Sequence, residues 1–511
     1  MSSLVINTPA RVDLVDFSKS ELELARSFLT YHDKSVDFLI QKHKRNRSWM
    51  CRDEAGWQEH LLRLKEQQKA CILFESETVG PYTYSGLAQE LSKHLGGVQI
   101  LNRIQYPDPK SVAWDRVPEH PARPFQKEIE QTLIQNRHGA VEVGTGLGKS
   151  RSAMDICHDL GLRTVIMVPS RNIAHQMYRE FSRHLGQRNV GLYGDGKKQL
   201  GKKFTIGIGA SLTKVEPGSE AWKWFNGADI LIADESHLCP AVTLEKVCMQ
   251  LLAPAPYRFF FSGTQTRMDG SELVLKGITG EIVYTKTVKE GVDEGWLARP
   301  MFKMVRVHSK SIYHSDDVQK LARIHLLENP DILDRAADLA NKAVKLLGHQ
   351  VLILIDELNQ YNLLAPRLKF PVRFAHGQDN TAEAKRVLPR DCWRSDPTDL
   401  VDQFNRREFP ILVGTSCIST GTDIQPVETC IYLMGGKSDI GVPQAVGRCT
   451  RRCDRPDGTR KSACNVVDFA PMIHSEHYDD GNKEGKMSPI FRHAMMRSKI
   501  YEGIYGPVVW M

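Results

Sequence analysis

Short apolar runs alternate with stretches of helical periodicity over most of this chain. The runs are Thr164–Val168, Phe204–Ile208, Ile230–Ala233, Phe259–Phe261, Val351–Ile355, Ile411–Val413 and Cys430–Leu433. Strands of a parallel sheet are buried on both faces, so they form continuous apolar runs rather than alternating ones. The pattern therefore predicts an α/β fold with two tandem parallel-sheet lobes, joined by a linker near Trp296–Pro300.

The N-terminal region has a different pattern. Residues Val12–Phe17 alternate like a strand, and Ser18 and Glu21 have the spacing of a capping box before a helical stretch at Leu22–Leu29. These signals predict a small α+β accessory domain ahead of the two lobes.

Further along, Cys71–Phe74 predicts a short strand and Tyr84–Leu95 an amphipathic helix. The prolines of Tyr106–Lys110 indicate a linker after them. The predicted boundaries are 1–115 for the accessory domain, 116–298 for the first lobe and 299–511 for the second lobe with its C-terminal helix.

Composition fits a protein of several globular domains. The chain has 511 residues, of which 41% are hydrophobic and 25% charged, with a formal net charge of +7. A positive balance suits a polyanionic partner. We expect a soluble protein of the cytoplasm, because no signal segment and no apolar run of membrane-spanning length is present.

A phosphate-binding loop is indicated at Val143–Ser150, with the sequence Val-Gly-Thr-Gly-Leu-Gly-Lys-Ser. An apolar stretch precedes it and a helical pattern follows, as this motif requires. Glycines allow backbone N–H groups to turn toward phosphate oxygens. Lys149 can reach the β- and γ-phosphates, and Ser150 can offer a hydroxyl to Mg²⁺. The general pattern has glycine where this chain has Val143.

Two acids follow the apolar run Ile230–Ala233, in the sequence Asp234-Glu-Ser-His237. The carboxyl end of a parallel strand is where such sheets bind ligands. Asp234 is predicted to hold Mg²⁺, partly through water, and Glu235 to orient and polarise the attacking water.

A pair of arginines completes the candidate chemistry. Arg448 and Arg451 are three residues apart in the segment Gln444–Arg452, which predicts that they share one helical face. An arginine supplied by the second lobe can stabilise charge on the transferring phosphoryl group, so hydrolysis would depend on how the lobes are closed.

Together these motifs resemble those of superfamily 2 helicases, in the order that the superfamily has. They are Arg123–Gln126 (adenine-reading), Gly144–Ser150 (I), Val168–Arg171 with Gln176 (Ia), Gly209–Leu212 (Ib), Asp234–His237 (II, a DESH form of DEAH), Ser262–Thr264 (III), Val351–Asp356 (IV), Thr415 with Gly421–Asp423 (V) and Gln444–Arg451 (VI). The resemblance covers about 121–469 and implies two RecA-like lobes with ATP and Mg²⁺ as cofactors.

The resemblance also implies roles. Catalysis would fall to Lys149, Glu235, His237, Gln444, Arg448 and Arg451. Nucleotide binding would fall to Arg123, Gln126, Gly144, Thr145, Gly146, Leu147, Gly148, Lys149, Ser150 and Asp423. Contacts to a nucleic-acid backbone would come from Ser170, Arg171, Ser211, Thr213 and Thr415.

Within the superfamily, the chain resembles the XPB and UvsW-type group. The segments Phe261–Gly270, Gly280–Tyr284, Glu294–Ala298 and the C-terminal Phe491–Tyr501 carry that likeness. Gln265 and Thr266 depart from it, because they replace the group's proline turn. The group implies a phage-type helicase that acts on branched, forked or single-stranded DNA in recombination, replication and repair, with proteins of those processes as partners.

A basic run in the accessory region, Lys42–Arg47 followed by Trp49, is a second candidate for binding nucleic acid. Lys44, Arg45 and Arg47 could hold phosphates while the tryptophan stacks on a base. A solvated basic loop explains the composition equally well.

Three classes of function remain open on the sequence. The first is an ATP-dependent DNA helicase or branch-migration motor. The second is an RNA helicase, or a duplex translocase that separates no strands. The third is a non-hydrolysing ATP-binding clamp or scaffold, which the complete set of acids, lysine and arginines disfavours.

Overall fold

The computed structural model describes residues 2–45, 54–263, 272–311, 313–378, 380–394, 396–419, 424–437, 441–482 and 485–511. The chain folds into two compact units. The first contains residues 1–143 and 148–285, and the second contains residues 144–147 and 286–511. The division falls inside the predicted phosphate loop. Among the described residues, no helix combines the length and the apolar character needed to cross a membrane.

Within the described residues, the first unit begins with a mixed sheet and four helices. The strands are β1 (Ser3–Thr8), β2 (Arg11–Val15), β3 (Thr30–His32), β4 (Lys69–Cys71), β5 (Phe74–Ser76), β6 (Gly80–Tyr84) and β7 (Gln99–Asn102). The helices are α1 (Lys19–Phe28), α2 (Lys34–Arg45), α3 (Glu54–Gln67) and α4 (Ala88–His94). The sheet has the order β5-β6-β2-β1-β7, and β3 and β4 form a separate antiparallel pair. This is the predicted α+β region.

Two local predictions in this region have different outcomes. The capping box is confirmed, because the Ser18 hydroxyl accepts from the Glu21 N–H and the Glu21 carboxylate accepts from the Ser18 N–H. The single strand predicted at Cys71–Phe74 is wrong. It is divided between β4 and β5, because the Ile72 N–H donates to the Leu29 carbonyl, 3.0 Å away, outside the strand pairing.

A second sheet of the first unit is largely parallel. Its strands are β8 (His138–Val143), β9 (Thr164–Val168), β10 (Val190–Gly194), β11 (Lys197–Lys198), β12 (Phe204–Ile208), β13 (Ile230–Asp234), β14 (Tyr257–Ser262) and β15 (Ile282–Lys286), in the order β11-β10-β12-β9-β13-β14-β8-β15. β10, β12, β9, β13, β14 and β8 pair in parallel, whereas β11 turns back on β10 as an antiparallel hairpin. The predicted runs in this lobe are therefore strands.

The helices of this lobe are α5 (Pro124–Asn136), α6 (Lys149–Leu160), α7 (Arg171–Leu185), α8 (Gly209–Leu212), α9 (Glu220–Asn226), α10 (Ala241–Leu244) and α11 (Glu272–Thr279), with a π-helical turn at Glu245–Leu251. The accessory region and this lobe share one hydrophobic core. Leu4, Leu87 and Leu91 belong to the same buried cluster as Phe260 and Ile278.

Polar contacts reinforce this packing. The Tyr84 hydroxyl lies 2.6 Å from the Glu245 carboxylate, and Lys276 pairs with Glu90. Gly86 is required by close approach, because a Cβ there would lie 2.5 Å from the carbonyl oxygen of Lys276. The accessory region and the first lobe are therefore one packed body.

The second unit is built on a parallel sheet of the order β18-β19-β17-β20-β21-β16-β22. Its strands are β16 (Arg299–His308), β17 (Gln350–Ile355), β18 (Val372–Ala375), β19 (Ile411–Gly414), β20 (Val427–Leu433), β21 (Ala463–Met472) and β22 (Val508–Trp510). Its helices are α12 (Val288–Asp293), α13 (Val318–Ala322), α14 (Pro330–Leu347), α15 (Leu358–Leu364), α16 (Ala382–Val387), α17 (Pro397–Asn405), α18 (Ser416–Ser419), α19 (Gly441–Gly447) and α20 (Pro489–Tyr505). The fold class predicted from the sequence is confirmed.

The predicted linker at Trp296–Pro300 runs into a strand. β16 begins at Arg299 and pairs along its whole length with β21. Its side chains are alternately exposed and buried, and Lys303 and His308 lie on the exposed positions. A run broken by charges in this way lacks the continuous apolar character by which the other strands were predicted.

Candidate active site

The phosphate loop has the backbone that its glycines permit. Gly146 and Gly148 both have φ of +86°, in the left-handed region that side chains rarely adopt. A Cβ on Gly148 would lie 2.3 Å from Nε2 of Gln126. Helix α6 begins directly after, at Lys149, with Ser150 in its first turn. A loop of backbone N–H groups leading into a helix N-terminus suits an anion.

Lys149 lies among groups of the first unit that a nucleotide would meet. Its Nζ is 3.0 Å from Oε1 of Glu235 and 3.3 Å from the Val143 carbonyl oxygen. Lys149 is 9% exposed, so this pair is largely withdrawn from solvent. The structure thus brings together the lysine and the acid that the sequence predicted from separate motifs.

Asp234 is the last residue of β13 and is buried. Burial, and then the neighbouring Glu235 carboxylate, raise the pKa of Asp234 to about 7. A nearby cation would relieve both effects. Oxygen donors such as the Asp234 carboxylate and the Ser150 hydroxyl are the ligands that Mg²⁺ prefers, so these residues fit that ion.

Glu235 adopts a strained backbone that sequence reasoning did not predict. Its φ and ψ are 49° and 44°, a left-handed conformation that costs a non-glycine residue about 1–3 kcal/mol. The strain turns the chain out of β13 into a 3-10 turn at Ser236–Leu238. Strain of this kind concentrates at functional positions.

His237 connects two of the predicted motifs. Its Nδ1 lies 2.5 Å from the Ser262 hydroxyl, at the end of β14, and 3.6 Å from Oε2 of Glu235. The ring is buried. The position of the Glu235 carboxylate is therefore coupled to the strand end where the third motif begins; Thr264 of that motif lies outside the described residues.

The adenine-reading candidates stand at the start of α5. Arg123 is the residue before the helix, with Pro124 at the first helical position. The Arg123 N–H donates to Oε1 of Gln126 at 2.9 Å, and Nε2 of Gln126 lies 3.4 Å from the Gly148 carbonyl oxygen. Gln126 is thereby held against the end of the phosphate loop.

The predicted arginines belong to the second unit and do not share a helical face. Helix α19 carries Gln444 but ends at Gly447. Arg448 begins a 3-10 turn, and Arg451 is extended, with φ of −65° and ψ of 134°. The prediction of one helical face is wrong, because the chain leaves the helix before the second arginine.

The segment Gly144–Leu147 belongs to this same unit and lies beside the segment that carries Arg448 and Arg451. A Cβ on Gly146 would lie 3.7 Å from Cγ of Arg451, and one on Gly447 would lie 3.1 Å from Cβ of Thr145. Arg451 is thus placed next to the middle of the phosphate loop by its extended backbone.

The C-terminal helix α20 holds the segment that leads to these arginines. The Tyr505 hydroxyl donates to the Pro443 carbonyl in α19 at 3.0 Å. Buried Arg497 pairs with Asp468 at 2.8 Å and donates to the Gly436 carbonyl at 3.0 Å. The segment is therefore fixed both before and within α19.

The predicted nucleic-acid contacts of the first unit lie at the carboxyl ends of β9 and β12. Ser170 is the N-cap of α7, and Arg171 is its first residue, with a side chain 70% exposed. Ser211 lies in the short helix α8, and Thr213 directly follows it. Because β9 and β12 are neighbouring parallel strands, these residues come to one edge of the sheet.

Thr415 lines a cavity of about 700 Å³ in the second unit, together with Gln378, Arg386, Glu357 and Ser416. The cavity lies at the carboxyl ends of β17, β18 and β19, where a parallel sheet places its ligands. Gln378 and Arg386 were not predicted from the sequence.

The remaining candidates lie partly outside the described residues. Lys44 is exposed near the end of α2. Arg45 is the last residue of α2, and Arg47, Trp49 and Asp423 lie outside the described residues.

Comparison with known proteins places these motifs in two known domains. Residues 119–267 match the model of the type III restriction enzyme res subunit, and residues 336–453 match the helicase conserved C-terminal domain. This chain is a superfamily 2 helicase. The DNA 3'-5' translocase XPB2 of Sulfurisphaera tokodaii is 23% identical over 65% of this chain and 79% of its own length. Two other curated relatives match over 58% and 50% of their own length, so the chain spans about half of those proteins.

Solved structures of helicases are similar to this chain. A structure of Mss116p bound to single-stranded RNA and AMP-PNP has a TM-score of 0.52 and 16% identity, and covers 76% of this chain and 74% of that chain. A structure of T4 UvsW covers 100% of this chain and 98% of that chain with a TM-score of 0.42 and 14% identity. The Mss116p structure agrees with the predicted fold, and the two domain matches confirm the predicted membership of superfamily 2.

Proposed function

We propose that this protein is an ATP-dependent DNA helicase or translocase that works on branched DNA. The main observation in support of ATP hydrolysis is the ion pair between Lys149 and Glu235. Nζ of Lys149 lies 3.0 Å from Oε1 of Glu235, beside buried Asp234. A scaffold that only bound ATP would have no need of a strained acid in that position. Support for DNA comes from the XPB2 relative, whose name gives a DNA translocase.

Each group has a distinct role in this proposal. The loop N–H groups and Lys149 bind the β- and γ-phosphates of ATP, and Ser150 and Asp234 would hold Mg²⁺. When bound there, Mg²⁺ would supply positive charge to offset the charge on the phosphate oxygens. Glu235 leaves its pair with Lys149 when phosphate takes its place, and then orients the attacking water and accepts its proton.

Other residues control when this chemistry occurs. Arg451, beside the phosphate loop in the second unit, stabilises the transferring phosphoryl group, with Arg448 and Gln444 supporting it. Arg123 and Gln126 read adenine. His237 transmits the state of the Ser262 strand end to Glu235, because it contacts both.

The contact between the C-terminal helix α20 and α19 can be tested for a role in positioning the segment that carries the arginines. Tyr505→Phe removes only the hydroxyl that holds α19, and we expect ATP turnover to fall about tenfold with little change in the KM for ATP. Tyr501→Phe is the matched control, because Tyr501 lies on the same helix but its hydroxyl donates to Asp468 of β21, 2.9 Å away. Each substitution should lower stability by about 1–3 kcal/mol. Equal turnover in the two variants would show that α20 has only a structural role.

Recognition of branched DNA is assigned to the accessory region. Helices α2 and α3 form a helical arm on the two-stranded pair β3–β4, with a small core of their own that includes Ile40, Trp57 and Leu61. Lys42 and Lys44 are exposed on α2. A motor that tracks one backbone needs an added surface to detect a second arm, and salt-sensitive phosphate contacts suit that task.

The deciding experiment compares stimulation of ATP hydrolysis by linear duplex, single-stranded, forked and four-way DNA and by RNA. We expect forked and four-way DNA to stimulate most. Lys42→Gln with Lys44→Gln should reduce that preference and leave stimulation by single strands unchanged. Stronger stimulation by RNA would favour an RNA helicase. Stimulation by linear duplex without strand separation would favour a translocase, and no hydrolysis at all would favour a clamp.

A further inference from the structure

A tight hairpin at the edge of the first unit's parallel sheet has no role in the proposal so far. It consists of Gly194–Lys198, which we call the basic hairpin: the end of β10, a turn, and the two-residue strand β11. Lys197 pairs with Gly194 and Lys198 with Tyr193, and both lysines are exposed.

The turn of the basic hairpin has an unusual backbone. Gly194, Asp195 and Gly196 have φ of +131°, +50° and +75° in succession. Two glycines accept such angles readily, but Asp195 does not. A non-glycine residue is held in this region when its surroundings determine it, so the contacts of Asp195 show what the turn is built to do.

The contacts of Asp195 join the hairpin to the start of α7. One carboxylate oxygen lies 3.2 Å from Nη1 of Arg171, and the other lies 2.8 Å from Nε2 of His175. Arg171 is a predicted contact to the nucleic-acid backbone, and its side chain remains 70% exposed while it is paired with Asp195. The hydrogen bond to His175, followed by that to Arg171, lowers the pKa of Asp195, so the carboxylate is charged.

The strand order places this hairpin on the path of the predicted contacts. β10, β12 and β9 are consecutive parallel strands, so their carboxyl ends share one edge of the sheet. At that edge lie Ser170 after β9, Ser211 after β12 and the basic hairpin after β10. A backbone that contacts the first two and continues in the same direction reaches the hairpin.

We propose that the basic hairpin binds the phosphate backbone of DNA, as the outer end of the contact path on the first lobe. Lys197 and Lys198 contact phosphates, and Asp195 is a positioning residue that holds Arg171 toward the same strand. This inference rests on the proposed function. The lysines extend the path without reading bases, which suits a motor that moves along any sequence.

The segment also offers a matched control. Lys202 lies four residues beyond the hairpin, and its Nζ is 3.2 Å from the Arg188 carbonyl oxygen. Arg188 precedes β10, and Lys203 precedes β12, so this second lysine pair lies at the amino ends of the strands, the opposite edge of the sheet. Replacing either pair by glutamine removes the same charge from the same protein.

The experiment measures binding of labelled duplex and single-stranded DNA as salt is varied. Each duplex phosphate contact contributes about 0.9 to the slope of log affinity against log salt concentration. Lys197→Gln with Lys198→Gln should flatten the slope by about 0.9 to 1.8, which weakens binding about 5- to 30-fold near 0.15 M salt. Lys202→Gln with Lys203→Gln should keep the wild-type slope.

The outcomes separate the two proposals. If the wild-type protein shows no salt-dependent binding and no stimulation by DNA, the proposed function fails. If the wild type binds and both double variants keep its slope, only the hairpin assignment is overturned. The lysines would then serve to keep other strands from pairing with the sheet edge, a common use of edge lysines, and their loss would increase light scattering by aggregates.

Discussion

Replacing Glu235 by glutamine should reduce ATP turnover by about 10²- to 10⁴-fold while ATP still binds. Glutamine has the shape of glutamate, so it can occupy the left-handed position and the contact with Lys149. It cannot accept the proton of the attacking water. Nucleotide affinity should not fall, because Lys149 no longer has to leave a charged carboxylate before it binds phosphate.

The measurements are equilibrium binding of a fluorescent ATP analogue and steady-state release of phosphate. Lys149→Ala gives the contrasting result, because it removes a cation that binds the phosphates themselves. We expect that variant to lose both affinity and turnover. A Glu235→Gln protein that hydrolyses ATP at the wild-type rate would refute the assignment of the acid.

Arg451→Ala should abolish most of the acceleration that DNA gives to hydrolysis, by about 10³-fold if the residue stabilises the transferring phosphoryl group. The geometry supports this residue because its side chain lies against Gly146, with 3.7 Å between Cγ and the Cβ position. Affinity for ATP should change little, since the stabilised charge develops only during transfer.

Arg452 is the matched control for this prediction. It is the next residue, but its guanidinium donates to backbone carbonyls of Gly295 and Lys461. Arg452→Ala should lower thermal stability without a selective loss of stimulated turnover. If the Arg451→Ala protein responds fully to DNA, then Arg448 or another group stabilises the transition state.

The sequence predicts the fold where burial is complete. β9 and β12 have the bounds predicted for them, because both faces of these strands are covered and every residue is apolar or small. β16 was missed because one face is exposed and carries charges. Predictions from periodicity succeed when the surroundings of a segment are uniform, and they fail when its two faces differ.

The active site also divides into features that the sequence predicts and features that depend on distant contacts. The sequence predicts which residues carry the chemistry, because Lys149, Asp234 and Glu235 stand in motifs of fixed spacing. It does not predict backbone conformation. The left-handed Glu235 and the extended Arg451 both depend on contacts with distant segments, which local spacing cannot show.

The boundary near residue 115 shows a third limit. The prolines of Tyr106–Lys110 correctly mark a stretch without helix or strand. They do not show that Tyr84 and Leu91 on one side of it pack into the core of the lobe on the other. Packing between sequence regions is a tertiary property, and its only local trace is a glycine such as Gly86 at a point of close approach.

The helical arm has a consequence for protein engineering. It leaves the accessory sheet through Thr30–His32 and returns through Lys69–Cys71, and these strands are directly paired, with Thr30 opposite Cys71 and His32 opposite Lys69. Opposite residues in an antiparallel pair lie about 5 Å apart, a gap that a two-residue turn can close. The arm can therefore be cut out, or exchanged for the arm of another helicase, as a cassette. Such grafts would transfer a substrate preference from one helicase to another without any change to the lobes that bind and hydrolyse ATP.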